Sequence, residues 1–324
     1  VKNKVSLGFF PTPLHKLQNL SALFKSYDLY IKRDDQTGLA SGGNKTRKLE
    51  YLIADAIAKR CKTVITMGAQ QSNHCRQTAA ACSIVGLECH LVFRGLRPSE
   101  LTGNLLLCQL LGANLHFAGE QSIEETANLL AQQLSTSQKK TYVIPIGGSN
   151  VVGMQGYMDA VEELCLQQTA LGVQFDYIFF ASCSAGTQAG IVAGKHQFSL
   201  NARLLPVSIQ KSEADTMPLA QKVLDLCLQH NQLHSRTHSY SQEDVAVVDG
   251  YDEAGYGILT PHEKKTISTL ATTEGILLDP VYTARAFFAM VDFLKNKQLA
   301  PNSKVLFWHT GGLPAIFHYA NGLV

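Results

Sequence analysis

From residue 62 to residue 308 the sequence alternates short apolar runs with longer segments of helical periodicity, and that alternation decides most of what the chain can fold into. Strands read over 62–67, 88–94, 114–117, 141–146, 176–180, 204–209, 244–248 and 304–308. Helices read over 72–85, 104–112, 122–135, 153–168, onward from Gly186, over 216–229, and in two segments between Pro261 and Leu294. Strands joined through helices run parallel, because an antiparallel pair needs only a tight turn. The predicted fold class is therefore α/β, with open, mainly parallel sheets and flanking helices. At 324 residues the chain exceeds a usual single core, which predicts two domains, and the turn-rich stretch 145–152 is the best crossing point between them.

Several function classes lose their footing on composition. Lys and Arg number 28 against 26 Asp and Glu, leaving a formal charge of +2 and no long basic run for nucleic acid or an anionic membrane to grip. No apolar stretch approaches the ~20 residues of a membrane helix. The start, Val1-Lys-Asn-Lys-Val5, lacks a signal-peptide core, so a cytoplasmic protein is expected. The eight cysteines lack any Cys-x-x-Cys pair and read as buried free thiols. His230, His234 and His238 have the spacing of one helix face, yet no cysteine or carboxylate is placed to complete a metal site, and no metal is expected.

In parallel sheets, ligands gather where strands end and helices begin. The segment Ser41-Gly-Gly-Asn-Lys-Thr-Arg-Lys-Leu-Glu50 leads into a helix whose core face is Leu49, Ile53, Ala56 and Ile57, with Arg47, Lys48 and Glu50 on its polar side. Lys45 falls in its first turn, where the helix dipole disfavours a second positive charge, so its amine pKa should fall toward the neutral form that attacks aldehydes. After strand 62–67, Ser72 and Asn73 are good N-caps whose turn suits a carboxylate, and equally a plain capped helix. Ser182-Cys-Ser-Ala-Gly-Thr-Gln-Ala-Gly190 is a small-residue turn opening a helix, with the hydroxyls of Ser184 and Thr187. That is a phosphate cup without a Walker or dinucleotide signature.

These segments together resemble a known family. Gly42-Gly-Asn-Lys-Thr-Arg-Lys-Leu-Glu50, Gln71-Ser-Asn-His74 and Asp279-Pro-Val-Tyr-Thr283 are similar to segments of the D-cysteine desulfhydrase and 1-aminocyclopropane-1-carboxylate deaminase family. Pro11-Thr-Pro-Leu14, Lys32-Arg-Asp-Asp35 and His309-Thr-Gly-Gly-Leu-Pro314 extend the likeness over nearly the whole chain. The resemblance implies a fold-type-II pyridoxal 5'-phosphate enzyme like the tryptophan synthase β chain. Its large cofactor domain would comprise residues 1–46 and 156–324, with 47–155 as a small inserted domain. It implies that Lys45 binds the cofactor aldehyde, Asn73 the ring hydroxyl, Ser184, Ala185, Gly186 and Thr187 the phosphate, and Thr283 the pyridine nitrogen. Ser72, Asn73 and His74 would meet the substrate, and Tyr256 and Tyr282 would line the reacting face. Two positions depart from the pattern: Ala185 stands where glycine is more usual, which would be strained at positive φ, and Ala254 where proline is commoner.

The activity the resemblance implies is α,β-elimination of D-cysteine to pyruvate, hydrogen sulfide and ammonia, with Lys45 as the base. Within the family, a hydroxyl at 283 rather than a carboxylate implies a weaker electron sink, suited to a substrate whose electrons leave with sulfur. His74 also looks more like the desulfhydrase branch. The alternatives are 1-aminocyclopropane-1-carboxylate deaminase and a related lyase such as an L-cysteate sulfo-lyase. From a different class, the rival is a non-catalytic small-molecule-binding α/β protein. The resemblance further implies a homodimer.

Overall fold

A computed structural model describes residues 3–210 and 217–324. In chain order its main elements are β1 (Leu14–Lys16), α1 (Gln18–Leu23), β2 (Tyr27–Arg33), α2 (Lys45–Ala58), β3 (Cys61–Gly68), α3 (Asn73–Val85), β4 (Glu88–Phe93), α4 (Gly103–Leu110), β5 (Asn114–Phe117), α5 (Ile123–Leu134) and β6 (Lys140–Val143). There follow α6 (Val151–Leu171), β7 (Tyr177–Ser182), α7 (Gly186–Phe198), β8 (Arg203–Ser208), α8 (Leu219–Leu233), α9 (Pro261–Glu274), α10 (Thr283–Lys295), β9 (Ser303–His309) and α11 (Ala320–Leu323).

Among the described residues the strands form two sheets, one of five in the order β1-β2-β9-β7-β8 and one of four in the order β5-β4-β3-β6. Every pairing is parallel except β1 with β2. Alternation along the strands assigns each side chain to a face. Phe179, Val305 and Phe307 point toward α1, α9 and α10, whereas Ile178, Phe180, Leu306 and Trp308 point toward α6, α7 and α8. In the smaller sheet Val64, Leu91 and Phe93 pack on α2, α3 and α4, and Ile65, Met67 and Val92 pack on α5. Each side chain so buried contributes roughly 1.5–3 kcal/mol. No helix among the described residues is long and apolar enough to cross a membrane. None of the eight cysteines is in a disulfide, and all are buried except the half-buried Cys165 and Cys183.

Four sequence expectations need correction. The stretch 244–248 forms no strand and only a single bridge, Val207 to Val248. There Ser241 and Asp244 close a turn on each other, and Gln188 donates to the carbonyls of Val245 and Ala246, so side chains replace a ladder. Of His230, His234 and His238 only His230 lies in α8, which ends at Leu233, and among the described residues no group of three ligands could hold a metal. The expected helix over 216–229 begins at a residue outside those described; the observed α8 starts at Leu219. The polar side of α2 is not solvated: Arg47, Lys48 and Glu50 are all buried, whereas Ile57, of the expected core face, is 43% exposed.

The burial of Arg47 has a specific cause. Asp34, fully buried, accepts from Arg47 Nε and Nη2 at 2.9 and 2.8 Å, from Thr12 Oγ1 at 2.8 Å, from Tyr157 at 2.7 Å and from Trp308 Nε1 at 2.9 Å. Glu163 takes the other side of the guanidinium at 3.0 Å and also bonds Lys32. Burial alone would raise the Asp34 carboxyl, but the charge and bonds of Arg47, then of Lys32 and Tyr157, hold it well below the usual carboxylate range. This network ties α2 to β2, α6 and β9, and so fixes the helix whose first residue is Lys45.

Candidate active site

Lys45 opens α2 directly after a turn that glycine makes possible. Gly43 sits at φ 127°, and a Cβ there would lie 2.6 Å from Gln77 Nε2. The lysine amine donates to Asn44 Oδ1 at 3.1 Å, and the Asn44 amide donates to Thr187 Oγ1 at 3.1 Å, so the α2 start and the turn after β7 form one unit. Burial pushes the Lys45 amine down to about 8, against the opposing influence of Cys183 and Asp279. The direction expected from sequence holds, but desolvation rather than the helix dipole is its main cause.

The turn after β7 is built as an anion cradle. Gly186 N–H donates back to Ser184 O at 2.8 Å, which makes Ala185, at φ 65° and ψ −41°, the centre of a γ-turn of the rare positive-φ form. Ala185 therefore carries the strain that the sequence anticipated. It also provides no side-chain cap, leaving the first-turn N–H groups of α7 beyond Gly186 for other partners. Around the cup stand hydroxyls and an amine: Ser149 Oγ donates to Ser184 Oγ at 2.9 Å, and Lys48 Nζ donates to Gly147 O at 3.0 Å. A Cβ on Gly186 would lie 2.7 Å from Ser149 Oγ and 2.9 Å from Lys48 Nζ, so nothing larger than glycine fits between them. Burial, and then the nearby Lys45, push the Lys48 amine well below the usual lysine value. A phosphate would reverse that balance.

The turn after β3 presents three more predicted residues. Ser72 caps α3 by accepting from Cys75 N–H at 3.2 Å, while Asn73 is the first helical residue rather than a second cap. Asn73 Oδ1 accepts from Asn104 at 2.8 Å and from Arg76 at 3.2 Å, so the group Asn73 retains for a ligand is its NH2 donor. His74 Nε2 pairs with Thr66 Oγ1 at 2.9 Å, and its buried Nδ1 has no hydrogen-bond partner among the described residues. Burial, then Lys45 and Lys48, keep this imidazole neutral.

The loop before α10 brings Tyr282 against Tyr256. Their hydroxyls are hydrogen-bonded to each other and their rings meet edge to face at 5.9 Å. Burial raises both phenols, so each remains protonated at neutral pH and the pair can hold or donate a proton. Cys183 and Asp279 act electrostatically on Lys45 and on both tyrosines, which sets these residues around one region. Thr283 is fully buried and bonded to Asp279 through its own hydroxyl and N–H. Sequence reading missed Asn44, Lys48, Ser149, Asn104 and Asp279. The Gly147-Gly-Ser149 turn, expected as a crossing between domains, also forms a wall of the cup. A surface cavity of about 490 Å³, lined by Phe10, Pro11, Leu166 and Ala170, contains none of the predicted site residues.

Comparison with known proteins gives the family and the fold. A family model described as "Pyridoxal-phosphate dependent enzyme" matches residues 5–311. A D-cysteine desulfhydrase of Klebsiella pneumoniae (strain 342) is 38% identical over 317 residues, covering 95% of this chain and 94% of its own. The bifunctional D-cysteine desulfhydrase/1-aminocyclopropane-1-carboxylate deaminase of Arabidopsis thaliana, a mitochondrial protein, is 36% identical over 325 residues, covering 96% of this chain and 79% of its own. A crystal structure described as an ACC deaminase homologue superposes with a TM-score of 0.90 at 36% identity, over 99% of this chain and 95% of its own.

Proposed function

Because this chain belongs to the pyridoxal-phosphate dependent enzymes, we propose that it is a lyase that eliminates hydrogen sulfide from D-cysteine, leaving pyruvate and ammonia. The observation that carries the reading is the full-length similarity to D-cysteine desulfhydrases, joined to a half-buried lysine in the first turn of α2 whose amine is held by Asn44. The residues present suit the cofactor chemically. A strained cradle at the start of α7, the hydroxyls of Ser149, Ser184 and Thr187 and the amine of Lys48 form a donor set for a phosphate. When bound, pyridoxal phosphate supplies an aldehyde that joins an amino-acid amine and a ring that withdraws electrons from the α-carbon.

In this reading Lys45 holds the aldehyde and, once displaced by the substrate amine, takes the α-proton at Nζ. Asn73 donates its NH2 to the ring hydroxyl, and Ser184, Ala185, Gly186 and Thr187 hold the phosphate. Ser72, Asn73 and the neutral His74 position the substrate carboxylate. Tyr256 and Tyr282 stand on the reacting face, where a phenol proton of the pair can reach a departing thiolate, and Thr283 meets the pyridine nitrogen. The two-sheet arrangement supports a division into a domain of residues 1–46 and 156–324 and a domain of 47–155. A cytoplasmic homodimer completes the proposal.

A second reading, deamination of 1-aminocyclopropane-1-carboxylate, is favoured by the bifunctional name of the plant relative. The test is keto-acid and sulfide release by the cofactor-loaded protein from D-cysteine, L-cysteine, 3-chloro-D-alanine, L-cysteate and 1-aminocyclopropane-1-carboxylate. Turnover of D-cysteine above the others supports the reading. Keto-acid only from the cyclopropane, or from none of them, removes it.

A further inference from the structure

The Thr283 hydroxyl is already committed before any ligand is considered. It donates its one proton to Asp279 Oδ1 at 2.7 Å and accepts from the Asp279 N–H at 2.7 Å. The same carboxylate accepts from the N–H groups of Thr283 at 2.7 Å and of Val281 and Tyr282 at 3.0 Å each. Both residues are fully buried, and Gly312, at φ 114°, closes over them: a Cβ there would lie 2.6 Å from Asp279 Cβ. A hydroxyl has one proton and two lone pairs, so what Thr283 has left is a single lone pair.

We propose that Asp279 is a positioning residue that acts through Thr283 to keep the cofactor's ring nitrogen protonated, Thr283 serving toward that nitrogen as an acceptor only. The inference rests on the reading that Thr283 meets the pyridine nitrogen. An unprotonated ring nitrogen is itself an acceptor, and facing a hydroxyl whose proton points elsewhere it would meet lone pair with lone pair. Rotating the hydroxyl toward it would leave two oxygens 2.7 Å apart, one of them a carboxylate oxygen, with no proton between them and no solvent to compensate. A protonated nitrogen donates into the remaining lone pair and leaves every other bond intact. The expectation that a hydroxyl at 283 means a weak electron sink is thereby revised, because a carboxylate stands one hydroxyl behind it. The preference for D-cysteine then rests on the relatives and on His74, not on Thr283.

The test is ¹⁵N NMR of the holoenzyme loaded with ring-¹⁵N pyridoxal phosphate at neutral pH. The wild type and Thr283→Ser should resonate at the pyridinium position. Asp279→Asn, which keeps a carbonyl acceptor for the helix N–H groups but loses the charge, should move to the neutral pyridine position, as should Thr283→Val. A wild-type signal at the neutral position overturns the proposal even if Asp279→Asn fails to fold. A pyridinium signal unchanged in Asp279→Asn or Thr283→Val also overturns it. Failure of borohydride to fix the label covalently at Lys45 in the wild type would instead remove the assignment of Lys45 on which the proposed function stands.

Discussion

Replacing Asp34 by asparagine should cost about 3 kcal/mol of folding stability, the low end of the ~3–5 kcal/mol typical of a broken buried ion pair. The carboxylate receives two donors on Oδ1, from Thr12 and Arg47, and three on Oδ2, from Arg47, Tyr157 and Trp308. An asparagine keeps one acceptor oxygen, so whichever way its amide turns, its NH2 faces at least two donors. Bonds to charged groups are worth roughly 1.5–3 kcal/mol each. The Glu163 contacts at 3.0 Å to the Arg47 guanidinium survive, which holds the total down. The difference is read from urea unfolding of wild type and variant at pH 7 as the change in midpoint times m. Because the folded-state pKa of Asp34 lies below its unfolded value, its contribution is complete above about pH 4 and fades as pH falls through the folded value. The gap between the two proteins should therefore be constant from neutrality to about pH 5 and narrow in stronger acid. A loss under about 1 kcal/mol, or a gap that widens in acid, would refute the account of the network.

Other perturbations reach the site itself. Lys45→Ala should still take up the cofactor through the α7 cradle but lose covalent attachment, with turnover falling by at least about 10²–10⁴-fold; equilibrium dialysis and a borohydride-resistance assay separate the two effects. In apoenzyme mixed with pyridoxal phosphate, the rate of covalent attachment should rise with pH through about 8, where the buried amine becomes neutral, rather than near the 10.5 of a solvated lysine; a rate still climbing at pH 10 contradicts the burial of Lys45. Ala185→Gly relieves roughly 1–3 kcal/mol of backbone strain, set against about 0.5–1 kcal/mol of added chain entropy and about 0.8 kcal/mol for the lost methyl. The net lies between about −0.8 and +1.7 kcal/mol in thermal unfolding, and a destabilisation clearly larger than about 1 kcal/mol would mean the γ-turn is not strained.

Much of the fold was legible because buried parallel strands are continuous apolar runs. The runs at 62–67, 88–94, 114–117, 204–209 and 304–308 each became a strand within a residue or two. Leu14–Lys16 and Tyr27–Arg33 escaped because Lys16, Asp28, Lys32 and Arg33 interrupt them, and the burial of Lys32 depends on Glu163, far away in sequence. The same cause hid the buried side of α2: Arg47 looks like a solvated residue until Asp34 and Glu163 are placed beside it. Lys45, Ser184 and Thr187 could be found locally, since each stands at a turn opening a helix. Lys48 and Ser149 could not, because their significance lies in contacts with segments far away in sequence; Asp279 was in reach, since its partner Thr283 stands four residues on.

The most direct measurement is borohydride reduction of the protein loaded with pyridoxal phosphate, followed by mass-spectrometric peptide mapping. The account predicts one reduced cofactor adduct per chain, on Lys45, with the adduct lost when D-cysteine is added before the reductant. An adduct on Lys48 or a surface lysine with Lys45 unmodified, or no adduct at all, would contradict it.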